Sequence, residues 1–143
     1  MESDLYWNRL VPELVVSDFA KSLDFYTRLL GFSIRFQRTD PDFVYLELDK
    51  VQFMLEAFIE DAWHTGELEK PYGRGINFQI DMDDIQSVYD RLKAADISLF
   101  RDVKETWYKT GEMMTGVCEF LVQDPDGYLL RFSKFLGEKP AET

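Results

Sequence analysis

The residues that could bind a metal or act as nucleophiles are few in this chain. Cys118 is the one cysteine and His64 the one histidine among 143 residues. A zinc site built from cysteine and histidine needs several such side chains, so the sequence excludes one. A single cysteine also excludes a disulfide within the chain. Carboxylates, arginines and aromatic rings are therefore the groups left to carry a function.

Acidic side chains dominate the charge. There are 27 Asp and Glu against 16 Lys and Arg, which gives a formal net charge of −11. Such a surface repels phosphate backbones, which argues against nucleic acid as a partner, and it attracts cations. We therefore expect a cationic small-molecule ligand. The alternative is that the charge only keeps the protein soluble.

Aromatic rings are abundant, with 12 Phe, 7 Tyr and 3 Trp. Most of the phenylalanines fall at positions that a fold would bury, which indicates an aromatic core. Trp63, Trp107 and Tyr108 fall in segments predicted to be irregular, where ligand-contacting rings commonly occur. These three rings are predicted to contact an aromatic part of a ligand or, alternatively, to fill a dimer interface.

Two helices are predicted to position these groups, and each follows an aspartate suited to the N-cap position, Asp18 or Asp84. Apolar residues recur there at three- and four-residue steps. The two apolar faces are Phe19, Leu23, Tyr26 and Leu30, and Ile85, Val88, Tyr89, Leu92 and Ala95.

Apolar runs and period-two alternation predict the strands around these helices. The predicted strands are 10–16, 32–37, 43–48 and 52–57, then 76–82, 97–100, 117–123 and 128–133, with a possible strand inside 101–115. A turn is predicted at Asp124-Pro125-Asp126-Gly127. Both halves therefore have the order βαβββ, and Asp18 and Asp24 recur at the same spacing as Asp84 and Asp90.

The expected architecture is α+β in a single domain, 1–143. Module one covers about 8–58, a linker about 59–73, module two about 74–136, and a polar C-terminal tail 137–143. The chain has no apolar run of membrane-spanning length, and its acidic start is unlike a signal peptide. We expect a cytoplasmic protein with no membrane partner.

Two segments carry a family resemblance. The run 14–26, followed by Leu30-Gly31-Phe32, and the Asp124–Gly127 turn together resemble the vicinal oxygen chelate superfamily, over roughly residues 8–136. Glyoxalase I, extradiol dioxygenases and bleomycin-resistance proteins belong to it. The resemblance implies the glyoxalase/bleomycin-resistance type fold, in which two βαβββ modules form cupped mixed sheets around a ligand.

Metal-using members of this superfamily hold the ion with four side chains of the cup. The matching positions here are Val11, Glu56, Asn77 and Arg131. Valine cannot coordinate an ion, and a guanidinium brings positive charge to the place of a cation. The resemblance therefore implies no metal and no cofactor for this chain.

The run from Asp124 to Phe132 and the preceding Gly116–Phe120 are similar to bleomycin-resistance proteins. Those relatives are metal-free homodimers that sequester the drug in grooves between two chains. The resemblance implies a homodimer that binds an antibiotic and confers antibiotic resistance. The ligand would be cationic and partly aromatic.

Strand alternation around the four matched positions predicts which side chains line the groove. With the three rings of the irregular segments, the predicted ligand-binding residues are Glu13, Met54, Glu56, Trp63, Asn77, Gln79, Asp81, Trp107, Tyr108 and Arg131. Alternatively, Arg131 pairs internally with Glu56 or Glu13 and only stabilises this face.

Three functions remain open. The first is metal-free sequestration of a bleomycin-type drug, which needs no catalytic residue. The second is an enzyme of the same superfamily: a glyoxalase-like lyase, a dioxygenase or a thiol transferase. A metal-free version of that enzyme could use Glu56 as a general base. The third is a binding module for another antibiotic or metabolite. A binding protein is favoured over an enzyme, because fold alone does not fix function and the metal ligands are replaced.

Overall fold

The computed structural model describes residues 6–141. It divides the chain into two compact units, Met1–Glu69 and Lys70–Thr143. The first unit contains β1 (Glu13–Val16), α1 (Phe19–Asp24), a π-helical turn (Phe25–Leu29), β2 (Ser33–Arg38), β3 (Phe43–Leu48) and β4 (Val51–Ala57). The second contains β5 (Asn77–Asp81), α2 (Ile85–Ala94), β6 (Arg101–Thr110), β7 (Met113–Gln123) and β8 (Leu129–Pro140).

Each unit forms one four-stranded mixed sheet, in the order β1-β4-β3-β2 or β5-β8-β7-β6. In each, the first strand lies parallel to the last, and the other neighbours are antiparallel. The two units thus share order and topology. The predicted α+β fold and the repeat of a βαβββ unit are confirmed.

The aspartates predicted as N-caps fill that role. Asp18 Oδ1 accepts a hydrogen bond from the backbone N–H of Lys21 at 3.2 Å. Asp84 Oδ1 accepts one from Ser87 at 3.0 Å. Each cap satisfies a backbone N–H that has no partner inside the helix, so each fixes where its helix begins.

The first helix departs from the predicted regular α-helix. After α1 the chain continues as a π-helical turn, which places more residues in one turn than an α-helix does. Phe25 and Leu29 are consequently buried beside Tyr26 and Leu30, whereas only the last two belong to the predicted stripe. Gly31 follows with a φ of 96°, a conformation that favours glycine.

The core of the first unit lies on the helix side of its sheet. Alternate residues of the strands are buried there: Leu14, Val16, Val44, Leu46, Phe53 and Leu55. Phe53 lies 5.7 Å from Phe32 and 6.1 Å from Tyr26, between ring centroids. Because side chains alternate across a strand, the residues between them lie on the other face.

In the second unit, the predicted strand at 97–100 is wrong. The backbone N–H of Ile97 bonds to Leu92 O at 3.0 Å and so closes the end of α2. The strand of this region is β6, which begins at Arg101, so the possible strand predicted inside 101–115 is confirmed. Helix closure uses the backbone donor that a strand at Ile97 would need.

The polar tail expected at 137–143 is strand as far as Pro140. Gly137 pairs with Gly116, and Pro140 with Met113, so the β7–β8 hairpin is longer than predicted. The last part of the predicted tail, 142–143, lies outside the described residues. Residues 134–140 form a mostly exposed part of this hairpin.

The predicted turn between β7 and β8 is confirmed. Asp124 Oδ1 accepts the backbone N–H groups of Asp126, Gly127 and Tyr128 at 2.9, 3.0 and 2.9 Å. Gly127 has a φ of 103°, and a Cβ there would lie 2.5 Å from Pro71 Cβ. Glycine is therefore required both for the backbone conformation and for the close packing of residue 71.

Candidate functional site

Two carboxylates lie together on the face of the first sheet that faces away from its helix. Glu13 on β1 is level with Met54 on β4, and Glu56 on β4 is level with Val15. The carboxyl groups of Glu13 and Glu56 form a hydrogen bond with each other. The sequence predicted all three of Glu13, Met54 and Glu56 as groove residues, and the structure places them side by side.

This pairing changes the proton affinity of Glu13. Partial burial raises the pKa of Glu13 above its usual value of 4.5, and the charge and hydrogen bond of Glu56 raise it further. Arg38 acts in the opposite direction, because its positive charge favours the ionised carboxylate. A cation bound beside the two carboxyl groups would have the same effect as Arg38.

Aromatic rings adjoin the two carboxylates on the same face. Phe43 is directly opposite Glu56, and Tyr45 is directly opposite Met54. Both rings are buried, whereas Phe36 is exposed. Phe36 on β2 stacks on Tyr45 at 5.5 Å with an interplanar angle of 18°. We call Glu13, Phe36, Phe43, Tyr45, Met54 and Glu56 the aromatic–carboxylate face.

A cation of the chain already contacts these rings. The guanidinium carbon of Arg38 lies 4.1 Å from the centroid of Phe43 and 5.7 Å from that of Phe36. Attraction between a cation and the face of a ring favours this position. The face therefore combines the two recognition elements of an organic cation, which are aromatic rings and carboxylates.

The second unit has a buried ion cluster. Glu119 on β7 is 1% exposed and accepts hydrogen bonds from Arg101 Nη2 at 3.1 Å and Tyr108 Oη at 2.6 Å. Arg131 Nη1 lies 3.8 Å from Glu119 Oε2. We call Arg101, Tyr108, Glu119 and Arg131 the Glu119 cluster. Arg131 has this ion pair within its own unit, where the sequence had suggested Glu56 or Glu13.

The predicted residues of β5 lie next to this cluster. Gln79 is level with Arg131, and Asp81 with Ser133, while Asn77 is level with Leu129. All three side chains are exposed. The structure thus brings Asn77, Gln79, Asp81, Tyr108 and Arg131 onto one face of the second sheet.

Two predicted tryptophans do not join either group. Trp63 is 95% exposed in the irregular segment after β4. Trp107 neighbours Tyr108 on β6, so the two point to opposite faces of the sheet. Trp107 covers Gly116, and Lys139 Nζ lies 4.3 Å from its ring centroid. Trp107 and Tyr108, both predicted as groove residues, therefore lie on different faces of this sheet.

The sequence analysis missed the residues that complete both groups. Phe43 and Tyr45 belong to an almost wholly apolar strand that is buried on both faces, so alternation cannot assign its residues to one face or the other. Glu119 carried a clearer signal, because it is a charged residue between Cys118 and Phe120 in an apolar run. A buried carboxylate there requires basic partners on neighbouring strands.

The order and pairing of the strands define a class of proteins built from a repeated βαβββ unit. Residues 8–132 match the model of the Glyoxalase/Bleomycin resistance protein/Dioxygenase superfamily, so this chain belongs to that superfamily. A probable lactoylglutathione lyase from Vibrio parahaemolyticus is 30% identical over 122 residues, which cover 82% of this chain and 83% of that protein.

Solved structures show the same fold. TioX from Micromonospora sp. ML1 matches with a TM-score of 0.68 at 17% identity, over 91% of this chain and 100% of TioX. A virulence protein from Salmonella typhimurium matches with a TM-score of 0.64 at 21% identity, over 92% and 100% of the two chains.

The metal of the superfamily does not fit the residues present at its four positions. Val11, just before β1, offers no donor atom, and Arg131 is ion-paired with Glu119. Of the four side chains, only that of Glu56 is a common metal ligand, and that of Asn77 is a weak metal ligand. Within residues 6–141, no group of three or more His, Cys, Asp or Glu is placed to hold an ion.

None of the helices between residues 6 and 141 has the length and apolar character needed to span a bilayer.

Proposed function

We propose that this protein sequesters a cationic, partly aromatic small molecule of the bleomycin type, without a metal, and so confers antibiotic resistance. The observation that carries the proposal is the aromatic–carboxylate face. It pairs the carboxyl groups of Glu13 and Glu56 with the rings of Phe36, Phe43 and Tyr45.

The chemistry of this face suits such a molecule. A cation over an aromatic ring gains about 0.5–1 kcal/mol at exposed sites and about 2 kcal/mol when desolvated. A flat ring system gains a further ~0.5–1.5 kcal/mol by stacking on Phe36, the exposed ring of this face. The contact of Arg38 with Phe43 supports the proposal, because a planar cation is held there by the chain itself.

The long-range field acts in the same direction. A net charge of −11 attracts a cation and raises its rate of encounter. We propose in addition that the protein is cytoplasmic and forms a homodimer, as the resemblance to bleomycin-resistance proteins implies. Light scattering of the purified protein measures the oligomeric state directly: twice the chain mass supports the dimer, and the chain mass contradicts it.

Titration calorimetry with metal-free bleomycin tests the proposal. We expect heat release that saturates at about one drug molecule per chain, and a rise in melting temperature when the drug is present. Absence of both heat and a melting shift would contradict a bleomycin-type ligand. The same titration with a neutral aromatic compound is the control for stacking alone.

A lyase is the second candidate, favoured by the relative named as a probable lactoylglutathione lyase. The replaced ligands at Val11 and Arg131 oppose a metal-dependent reaction. Lactoylglutathione lyase activity with added Zn²⁺ or Ni²⁺, together with a stoichiometric metal in elemental analysis, would support the enzyme. Absence of both would leave the binding function as proposed.

A further inference from the structure

Three buried polar atoms of the second unit have no hydrogen-bond partner among the residues that the structure describes. They are Arg131 Nε, Ser133 Oγ and Thr106 Oγ1. Ser133 is 0% exposed, so its hydroxyl is fully removed from bulk solvent. A buried donor without an acceptor is costly, and functional sites are a common explanation for such atoms.

The strand register places these atoms around the same point. Ser133 is directly opposite Glu119, and Arg131 is two residues from Ser133 on the same strand. Thr106 is opposite Val117, which is two residues from Glu119. Since residues two apart share a face, all three side chains lie on the face of the Glu119 cluster.

The chemistry of the unpartnered atoms calls for an acceptor. The Nε–H of an arginine can only donate, and a hydroxyl can donate while its oxygen accepts. Charge points the same way. The charges of Arg101, Arg131 and Glu119 add up to one positive charge. Lys104, which is opposite Glu119, has a positive charge that cancels the negative charge of Asp81, which is level with Ser133.

We propose that this face of the second unit binds an oxyanion, with Arg131 Nε and Ser133 Oγ as donors. Arg131 directs Nη1 toward Glu119, and its Nε–H is a buried donor without an acceptor among the described residues, so it is available to a ligand. Charge-assisted hydrogen bonds of this kind select anions with two or more oxygens, which are carboxylates and phosphates. The inference does not rest on the cation-binding proposal, because it uses none of the residues of the aromatic–carboxylate face.

Nuclear magnetic resonance of the arginine Nε–H groups tests the site. Sodium acetate and sodium phosphate are titrated separately into the protein, with sodium chloride used to keep ionic strength constant. We expect the Arg131 cross-peak, assigned by its loss in Arg131→Lys, to shift and saturate at millimolar anion. The Arg28 cross-peak is the matched control, because Arg28 is an exposed arginine paired with Asp24.

Ser133→Ala gives a second test that keeps the charge of the site. We expect the anion dissociation constant to rise about three- to tenfold in this variant. If acetate saturates and phosphate does not, the ligand group is a carboxylate, and the reverse indicates a phosphate. Equal, non-saturating shifts of Arg131 and Arg28, or no shift of Arg131, would overturn the proposal. Retained bleomycin binding by Ser133→Ala would separate failure here from failure of the cation site.

Discussion

The carboxyl group of Glu13 is hydrogen-bonded to that of Glu56 across the parallel pair β1 and β4. Two carboxyl groups share a proton readily, and each disfavours ionisation of the other. Arg38 is the cation that counters this effect at Glu13. The pair is therefore a place where the charge of a ligand and the proton affinity of the protein depend on one another.

The raised pKa of Glu13 predicts a loss of stability as pH rises. The folded protein holds this proton more tightly than the unfolded chain, so the stabilisation is complete below pH 4.5 and is lost as pH rises through the folded pKa. Glu13→Gln should remove this dependence and raise stability at pH 7 by about 0.5 kcal/mol or less, since the residue is exposed. Urea unfolding from pH 4 to 8 measures this pH dependence of the free energy of unfolding. Glu60→Gln, at an exposed position, is the control, and an unchanged pH profile in Glu13→Gln contradicts the assignment.

Arg38→Gln should strengthen the binding of a cationic ligand. Arg38 lies over Phe43 and Phe36 and would compete with the ligand for those rings. We expect the dissociation constant for metal-free bleomycin to fall about two- to fivefold. Arg28→Gln, which removes an exposed arginine that is paired with Asp24 and lies outside the aromatic–carboxylate face, is the control for net charge. Weaker binding in Arg38→Gln would show that Arg38 supports the ligand instead of competing with it.

Glu119→Gln should destabilise the fold. The buried carboxylate accepts hydrogen bonds from Arg101 and Tyr108, and its loss leaves the guanidinium groups without their counter-charge. We expect the free energy of unfolding to fall by about 1–3 kcal/mol. Glu105→Gln changes the same residue type on an exposed part of β6, and we expect about 0.5 kcal/mol or less there. Equal effects of the two substitutions would contradict the role of the cluster.

Gly127→Ala should also destabilise the fold, because the turn requires a positive φ and Pro71 leaves no space for a Cβ. We expect a loss of more than about 1 kcal/mol in chemical denaturation. Gly66→Ala is the control, since a Cβ at Gly66 meets nothing within 4 Å and no positive φ is involved. A loss at Gly66 equal to that at Gly127 would contradict the packing argument.

Local signals in the sequence were sufficient for much of the fold. The caps Asp18 and Asp84 and the turn at Asp124 act through their immediate neighbours, so their roles could be predicted. The end of α2 could not be predicted, because the backbone N–H of Ile97 bonds to the helix although isoleucine is a residue typical of strands. The same holds for the π-helical turn, since nothing in the spacing of Phe25 and Leu29 distinguishes it from an α-helix.

The candidate site was predicted in part. Strand alternation from the matched positions predicted that Glu13, Met54 and Glu56 share a face, and the structure places them on one face. Alternation could not assign the buried rings of Phe43 and Tyr45 to this face, because their strand is mostly apolar on both faces. Alternation also could not predict the Glu119 cluster, because the ion pairs of Glu119 with Arg101 and Arg131 join segments that are distant in the sequence.

Calorimetry with a charge-matched pair of variants tests the central claim most directly. Glu13→Gln/Glu56→Gln removes both carboxylates of the aromatic–carboxylate face, and Glu60→Gln/Glu67→Gln removes the same charge from exposed positions of the irregular segment. With metal-free bleomycin, we predict that the first variant binds at least about tenfold more weakly than the natural sequence, whereas the second binds as well. Equal affinity of the two variants would contradict the assignment of ligand binding to Glu13 and Glu56.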